Sequence, residues 1–181
     1  PTLTAENADR KVPDWLNDPT LYHNRGDSTF EGESVLDGDF SGLDDLMTEN
    51  PKVVDGFVDV YKTWVDFGID GFRIDTVKHV NLEFWQSWST EVLDYAAAQG
   101  NPDFFMFGEV YDANAANTSP YVRKTDMNSV LDFSFQSQAS GLLQDCFIPS
   151  TRNPEGIRAF ARGLRAREYG AVKVDHAMIS W

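Results

Sequence analysis

Arg73 and Asp75 lie two positions apart in a short apolar segment, residues 71–75 (GFRID), which has the length and composition of a β-strand. Side chains alternate along a strand, so the guanidinium and the carboxylate project from the same face. The cation lowers the pKa of the neighbouring carboxyl and keeps it ionised, as a nucleophile requires. The alternative is an ion pair that only closes the end of a strand.

Glu109 stands near the end of a second apolar run, residues 104–110 (FFMFGEV), where the same alternation places Phe105 and Phe107 on its face. An apolar approach removes water from a carboxyl and raises its pKa, as a general acid near neutral pH requires. Glu109 is therefore a candidate proton donor. The alternative is a glutamate that is simply solvated at the end of a strand.

The spacing of the two carboxyl groups favours the catalytic interpretation. Both sit at the C-terminal ends of strands, 34 positions apart (109 − 75), which is the length of one strand-helix-strand step. Adjacent strands lie about 4.8 Å apart. Retaining glycosidases hold their two carboxyl groups about 5 to 5.5 Å apart, whereas inverting enzymes leave room for a water. Neighbouring parallel strands therefore predict the retaining separation.

The elements around these residues follow a regular order after an irregular start. Residues 1–50 are rich in Asp, Asn, Gly, Ser and Pro without a sustained period, which indicates connecting structure or a small inserted subdomain. Strands separated by helical crossovers pair in parallel, so an α/β fold is expected, either a barrel or an open sheet. Apolar periodicity, caps and breakers predict the elements themselves: helices at 51–68, 81–99 and 153–170, and strands at 69–76, 104–110 and 130–135.

Three segments carry a resemblance to a known family. Residues 71–79 (GFRIDTVKH) and 107–112 (FGEVYD) resemble the second and third conserved regions of the α-amylase family, glycoside hydrolase family 13, in the right order and spacing. Residues 42–46 (GLDDL) are similar to the short region that ends the family's inserted B domain, although Asp44 replaces the usual proline. The resemblance implies a partial (β/α)8 TIM barrel over 51–181, preceded over 1–50 by the end of an inserted B-like domain.

The resemblance also implies a role for the matching catalytic residues. Asp75 is expected to attack the sugar C1, Glu109 to protonate the leaving oxygen, and Arg73 to orient the nucleophile. The implied reaction is hydrolysis of α-1,4-glucans (starch, glycogen or maltooligosaccharides) through a glycosyl-enzyme intermediate, with net retention. An α-glucan is therefore the expected partner.

Further matching positions concern the substrate and a metal. Lys78 and His79 match residues that contact the leaving-group sugar, and Tyr111 matches one that lines the same subsite. A solvated lysine, a packed histidine and a tyrosine at a core edge are the alternatives. In many members the residue matching Asp45, through its carboxylate, and that matching His79, through its backbone carbonyl, help to bind a structural Ca2+. Hard oxygen ligands suit that ion.

The sequence departs from the family pattern in two further places. The first conserved region and a recognisable fourth region are both missing. The only candidate for the fourth, residues 174–177 (VDHA), puts Ala177 where the third catalytic carboxylate belongs. A whole barrel takes about 250 residues. We therefore expect these 181 residues to be an internal piece of a barrel, with little or no activity alone.

Two related activities and one different class of protein remain as alternatives. α-Glucan transglycosylation and α-1,6 debranching use the same catalytic pair, and the choice depends on subsite loops mostly outside this sequence. A non-catalytic binding or scaffold protein would keep the barrel without the carboxylates, since fold alone does not determine function. Arg73, Asp75 and Glu109 are all present, which favours an enzyme.

Composition limits the partners and the location. Twenty-nine acidic against fifteen basic residues give a net charge of −14, which repels phosphate backbones and anionic lipids and predicts no nucleic-acid or membrane partner. No apolar stretch approaches the roughly 20 residues of a membrane-spanning helix. A signal peptide is expected to be absent or already removed, because none is recognisable after Pro1. The single cysteine, Cys146, excludes an internal disulfide, and the expected location is extracellular.

Overall fold

The fold, a computed structural model, is described for residues 5–6 and 8–147, which divide into two compact units. The first unit comprises the residues up to Gly71 together with Lys78–Phe104, and the second comprises Phe72–Val77 together with the residues from Phe105 onward. The helix predicted at 153–170 and the segment 174–177 lie outside the described residues. The predicted division between 1–50 and 51–181 stays a prediction.

The N-terminal part of the first unit is irregular, as predicted. It contains two short 3-10 turns, Asp14–Asn17 and Pro19–Leu21, and a single α-helical turn, α1, at Ser34–Asp37. An isolated antiparallel bridge pairs Tyr22 with Leu46. Tyr22 is buried within this segment.

Two long helices, α2 at Pro51–Asp66 and α3 at Leu82–Ala98, pack on each other and confirm two of the predicted helices. Their contact is largely aromatic, since the ring of Tyr61 meets that of Trp88 edge to face at 4.9 Å. Trp88 and Val92 are both buried. The core of the first unit therefore lies between these two helices.

Helix α2 begins at a side-chain cap, as the sequence predicts. The Asn50 side-chain oxygen accepts a hydrogen bond from the Lys52 backbone N–H at 3.0 Å, and Pro51 opens the helix. Asn50→Ala removes this acceptor, so we expect the free energy of unfolding in urea to fall by about 1 kcal/mol. Asn50→Ser keeps a capping oxygen and should recover most of the loss. An alanine variant as stable as the native protein would contradict this role.

The second unit contains a three-stranded sheet in the order β1-β2-β3. The strands are β1 at Gly71–Ile74, of which the first residue belongs to the first unit, β2 at Phe105–Gly108, and β3 at Ser129–Val130. β2 and β3 are parallel, with Phe107 opposite Ser129. Helix α3 connects β1 to β2 along the chain, and a helical crossover is the connection that parallel neighbours require.

One predicted strand is largely wrong. The apolar run 130–135 was expected to be extended, but β3 ends at Val130 and helix α6, Phe133–Phe147, follows almost at once. The cause is Asp132, whose carboxylate accepts a hydrogen bond from the Phe135 backbone N–H at 2.8 Å. An aspartate at that position caps a helix and so ends the strand.

Between β2 and β3 the chain forms two further helical turns: α4 at Ala115–Thr118 and α5 at Pro120–Arg123.

Candidate active site

Asp75 and Glu109 follow the ends of the neighbouring strands β1 and β2. The Glu109 backbone N–H donates to the Ile74 carbonyl at 2.7 Å, and the Glu109 carbonyl accepts from the Val77 N–H at 3.0 Å. These two bonds continue the pairing beyond the strands and hold the Glu109 backbone beside the segment that carries Asp75. The structure therefore brings the two acidic residues to one edge of the sheet, where the sequence predicts them.

One guanidinium joins the two carboxyl groups. Arg73 Nη1 donates to Asp75 Oδ1 at 2.5 Å, and Arg73 Nη2 donates to Glu109 Oε2 at 3.1 Å. The rigid fork of the guanidinium offers both donors in fixed directions, which a flexible lysine could not do. The Asp75 side chain is 64% exposed and that of Glu109 only 24%. The nucleophile candidate is therefore open to a substrate, whereas the acid candidate is more enclosed.

The two carboxyl groups have opposite pKa shifts. A hydrogen bond with Glu109, followed by the contact with Arg73, holds the pKa of Asp75 below its ordinary value of 3.8. The same hydrogen bond between the carboxyls, followed by partial burial, raises the pKa of Glu109 above its ordinary value of 4.5. An ionised carboxylate thus lies beside a carboxyl that keeps its proton to higher pH. This is the pairing that a nucleophile and a general acid require.

The cause of the Glu109 shift differs from the predicted apolar approach. Phe105 is 46% exposed, and its ring packs against that of Phe107 with 6.1 Å between centroids. The hydrogen bond with Asp75 contributes most to the raised pKa of Glu109, and burial comes second. The neighbouring carboxyl is therefore a stronger influence than the phenylalanine pattern.

Tyr111 lies two residues beyond Glu109 and presents an open aromatic surface. Its side chain is 67% exposed, and its ring meets that of Phe133 edge to face at 4.9 Å. The sequence patterns did not single out Phe133, because it falls in the run that was expected to be a strand. An exposed ring that is held on one side suits stacking against a sugar, and the substrate contact of Tyr111 stays a prediction.

Lys78 and His79, predicted to contact the leaving-group sugar, belong to the first unit. The His79 Nδ1 lies 3.0 Å from the Val35 carbonyl oxygen, and the rings of Phe30 and Phe40 meet the imidazole edge to face at 5.9 and 5.0 Å. Burial lowers the pKa of His79, so the ring is neutral near pH 7 and its Nδ1–H donates to the carbonyl. The side chain is packed, and the sugar contacts of both residues stay predictions.

Asp45, the predicted calcium ligand, is engaged by a histidine. His23 Nδ1 lies 2.6 Å from Asp45 Oδ2, and His23 Nε2 lies 2.9 Å from Glu49 Oε1. Burial acts to lower the pKa of His23, but the hydrogen bonds to Glu49 and Asp45 outweigh it and raise that pKa. Burial is also the main cause of the raised pKa of Asp45.

The calcium site stays a prediction. Ca2+ takes roughly six to eight oxygen ligands. In the described part of the chain, no group of three or more His, Cys, Asp or Glu side chains could hold a metal ion. Asp45 and the His79 carbonyl therefore do not make a calcium shell by themselves.

The whole of this site lies within a match to one known protein family. Residues 5–147, more than half of the chain, match the family described as "Alpha amylase, catalytic domain". The chain belongs to the α-amylase family. Arg73, Asp75 and Glu109 all lie inside the matched range.

Individual members of the α-amylase family give the extent of the likeness. The α-amylase of Streptomyces lividans is 59% identical over 140 residues, which are 77% of this chain and 15% of that protein. The cyclomaltodextrin glucanotransferase of Klebsiella oxytoca is 32% identical over 130 residues, 67% of this chain and 20% of that protein. The crystal structure of the Geobacillus thermoleovorans α-amylase with acarbose is 30% identical with a TM-score of 0.61, over 71% of this chain and 29% of that one. This chain thus spans less than a third of each relative.

The fold expected from the resemblance is confirmed. The catalytic domain of the α-amylase family is a (β/α)8 barrel, and parallel strands that alternate with helices agree with one part of such a barrel. Within 5–6 and 8–147, none of the helices has the length and apolar character needed to cross a bilayer.

Proposed function

We propose that this chain is part of the catalytic barrel of a larger α-amylase-family enzyme, here called the parent protein, which cleaves α-glucans with net retention. The observation that carries the proposal is the Arg73 bridge between Asp75 and Glu109, 2.5 and 3.1 Å long. It places a carboxylate with a lowered pKa beside a carboxyl with a raised pKa. The hydrogen bond between the two carboxyls favours the close spacing of retaining enzymes over the wider gap of inverting ones.

In the first half of the reaction, the Asp75 carboxylate attacks the sugar C1 while Glu109 gives its proton to the leaving glycosidic oxygen. The C1–O bond breaks, and a glycosyl ester forms on Asp75. Arg73 favours this step because its charge keeps Asp75 ionised and its Nη1 donor holds the carboxylate in a fixed direction.

In the second half, Glu109 is left as a carboxylate and takes a proton from a water molecule that attacks C1. The ester bond to Asp75 breaks, and Glu109 regains its proton. Two displacements at the same carbon restore the original anomeric configuration. The glycosyl group that was attached to Asp75 therefore leaves with the anomeric configuration that it had in the substrate.

The proposed substrate rests on the names of two relatives. The exposure of Asp75 leaves the site open to it. The Streptomyces lividans relative is named an α-amylase, and the Geobacillus thermoleovorans structure holds acarbose. Starch, glycogen and maltooligosaccharides are the proposed substrates. Tyr111, Lys78 and His79 are the proposed contacts of the leaving-group sugar.

Transglycosylation is the second candidate function. The Klebsiella oxytoca relative is a cyclomaltodextrin glucanotransferase, and the same glycosyl ester serves both reactions, since a sugar hydroxyl can replace water as the acceptor. α-1,6 Debranching uses the same pair as well. A scaffold protein without catalysis is disfavoured, because Arg73, Asp75 and Glu109 are all present and in mutual contact.

Proton NMR of the first products tests the proposal. The parent protein is mixed with maltoheptaose, and the anomeric signals are recorded before mutarotation. We expect α-anomers to appear first, because two displacements retain the configuration. Initial β-anomers would contradict the retaining assignment. Longer oligosaccharides or cyclic products in place of short ones would favour the transglycosylase.

The pH dependence of kcat/KM follows from the two pKa shifts. Asp75 must be ionised and Glu109 protonated, so the acid limb should lie below pH 3.8 and the basic limb above pH 4.5, the ordinary values of the two side chains. Arg73 lowers the pKa of both groups. We therefore expect Arg73→Met to move both limbs to higher pH and to lower the maximum.

The matched control for Arg73→Met is Arg10→Met, which removes an exposed cation elsewhere in the chain. It should leave both limbs in place. Limbs that stay fixed or move to lower pH in Arg73→Met would contradict the electrostatic role of the bridge.

The remaining expectations are proposals that await their own tests. Binding of Ca2+ through Asp45 and the His79 carbonyl can be tested by calcium titration of the parent protein. The extracellular location can be tested by fractionation of a culture. The absence of nucleic-acid and membrane partners rests on the net charge of −14. The low activity expected of the 181 residues alone is tested by assaying them beside the parent protein.

A further inference from the structure

The residue after the proposed nucleophile has an unusual backbone conformation. Thr76 has a φ of 50°, in the left-handed region, where a side chain branched at Cβ crowds the backbone. Such a residue keeps this conformation only where the surrounding contacts hold it, and strain of this kind concentrates at functional sites. The contacts that hold Thr76 therefore indicate what the turn does.

The contacts lead to Glu109. The Glu109 N–H donates to the Ile74 carbonyl before the turn, and the Val77 N–H donates to the Glu109 carbonyl after it, at 2.7 and 3.0 Å. A backbone hydrogen bond from Thr76 to the Glu109 carboxylate also acts to lower the pKa of that carboxyl. A change in φ of Thr76 moves the chain that follows it relative to the chain before it. An extended backbone at Thr76 would therefore carry the Val77 N–H away from Glu109. The turn thus contacts both the main chain and the side chain of Glu109.

Packing on β2 keeps the turn in place. Val77 is 0% exposed, and a Cβ added at Gly108 would lie 2.8 Å from Val77 Cγ2 and 2.7 Å from Met127 Sδ. These separations leave no room for a side chain at position 108. Val77 therefore packs directly against the backbone of β2, one residue before Glu109.

We propose that Thr76 is a positioning residue, whose left-handed backbone holds the carboxyl of Glu109 against that of Asp75. Thr76 acts through its main chain and does not touch the reacting atoms. The inference rests on the proposed function and assigns it one more residue. A hydrogen-bond donor fixed on the charged form of Glu109 keeps that carboxylate in place for the second half of the reaction, when it must accept a proton from water.

The test compares two forms of the parent protein that differ at one backbone atom. One is Thr76→Val with its normal amide, and the other carries the α-hydroxy analogue of valine at position 76, so that an ester oxygen replaces the N–H. We expect the ester to lower kcat about tenfold relative to the amide, the usual effect of one hydrogen bond to a charged group. The basic limb of the pH profile should also move to higher pH, because the Glu109 carboxylate loses a donor.

The pH at which the basic limb falls is the quantity that a merely structural role would not change. Thermal unfolding establishes that both forms are folded, and a 13C titration of the Glu109 carboxyl should show the same upward change in its pKa without any turnover. An ester form with the kcat, basic limb and titration of its amide partner would overturn the inference and leave the proposed function intact. A native parent protein that cleaves no α-glucan would overturn the proposed function, and the role of Thr76 with it.

Discussion

Asp75→Asn in the parent protein is expected to lower kcat on maltooligosaccharides by about ten-thousand-fold or more, the usual scale for losing an essential nucleophile. The amide is close to the carboxylate in shape, so Arg73 still has an oxygen to bind, but no negative charge remains to attack C1. The measurement is kcat with maltoheptaose beside Asp103→Asn, an exposed aspartate outside the site. An Asp75→Asn enzyme with the native rate would remove Asp75 from the mechanism.

Rescue by azide identifies the face of the sugar ring that Asp75 attacks. In Asp75→Ala the small side chain leaves space for azide to attack C1 of α-maltosyl fluoride, with Glu109 still present. The C1–F bond breaks in a single displacement, so we expect a β-glycosyl azide with inverted configuration. An α-azide from this variant would place the nucleophile elsewhere.

Glu109→Gln should lower kcat/KM on maltooligosaccharides by roughly 100- to 10,000-fold, the usual contribution of general acid–base catalysis. The loss should depend on the leaving group. A sugar alkoxide needs the Glu109 proton, whereas fluoride leaves with little help. We therefore expect kcat/KM with α-maltosyl fluoride to fall far less than with maltoheptaose.

The control for Glu109→Gln is Glu31→Gln, at an exposed position in the first unit. It should leave kcat/KM unchanged for both substrates. Azide gives a second check, because in Glu109→Ala it attacks the glycosyl ester on Asp75 and should yield an α-glycosyl azide. Equal losses on the fluoride and on maltoheptaose would contradict a role for Glu109 as the acid.

Local rules predicted much of the fold and of the site. Helix α2 was predictable because its start depends on neighbours in the sequence, Asn50 and Pro51. The Arg73–Asp75 contact was predictable because alternation along a strand puts residues two apart on one face. The meeting of Asp75 with Glu109 followed from one strand-helix-strand step, which brings successive strand ends together.

Features set by residues distant in sequence were not predictable in the same way. His23 and Asp45 meet across 22 positions, and no local pattern relates them. The raised pKa of Glu109 comes mainly from Asp75 rather than from the neighbouring phenylalanines. The left-handed φ of Thr76 is contrary to its local preference and is held by tertiary hydrogen bonds. Only the end of β3 had a local signal that was missed, the capping aspartate at position 132.

Trapping the glycosyl-enzyme tests the central claim most directly. In Glu109→Gln, α-maltosyl fluoride can form the ester on the nucleophile, but no base remains to activate water, so the ester should accumulate. The protein is quenched in acid, digested, and its peptides are analysed by tandem mass spectrometry. We predict one maltosyl group on the side chain of Asp75. A maltosyl group on any other residue, or inverted product formed without an adduct, would contradict the account.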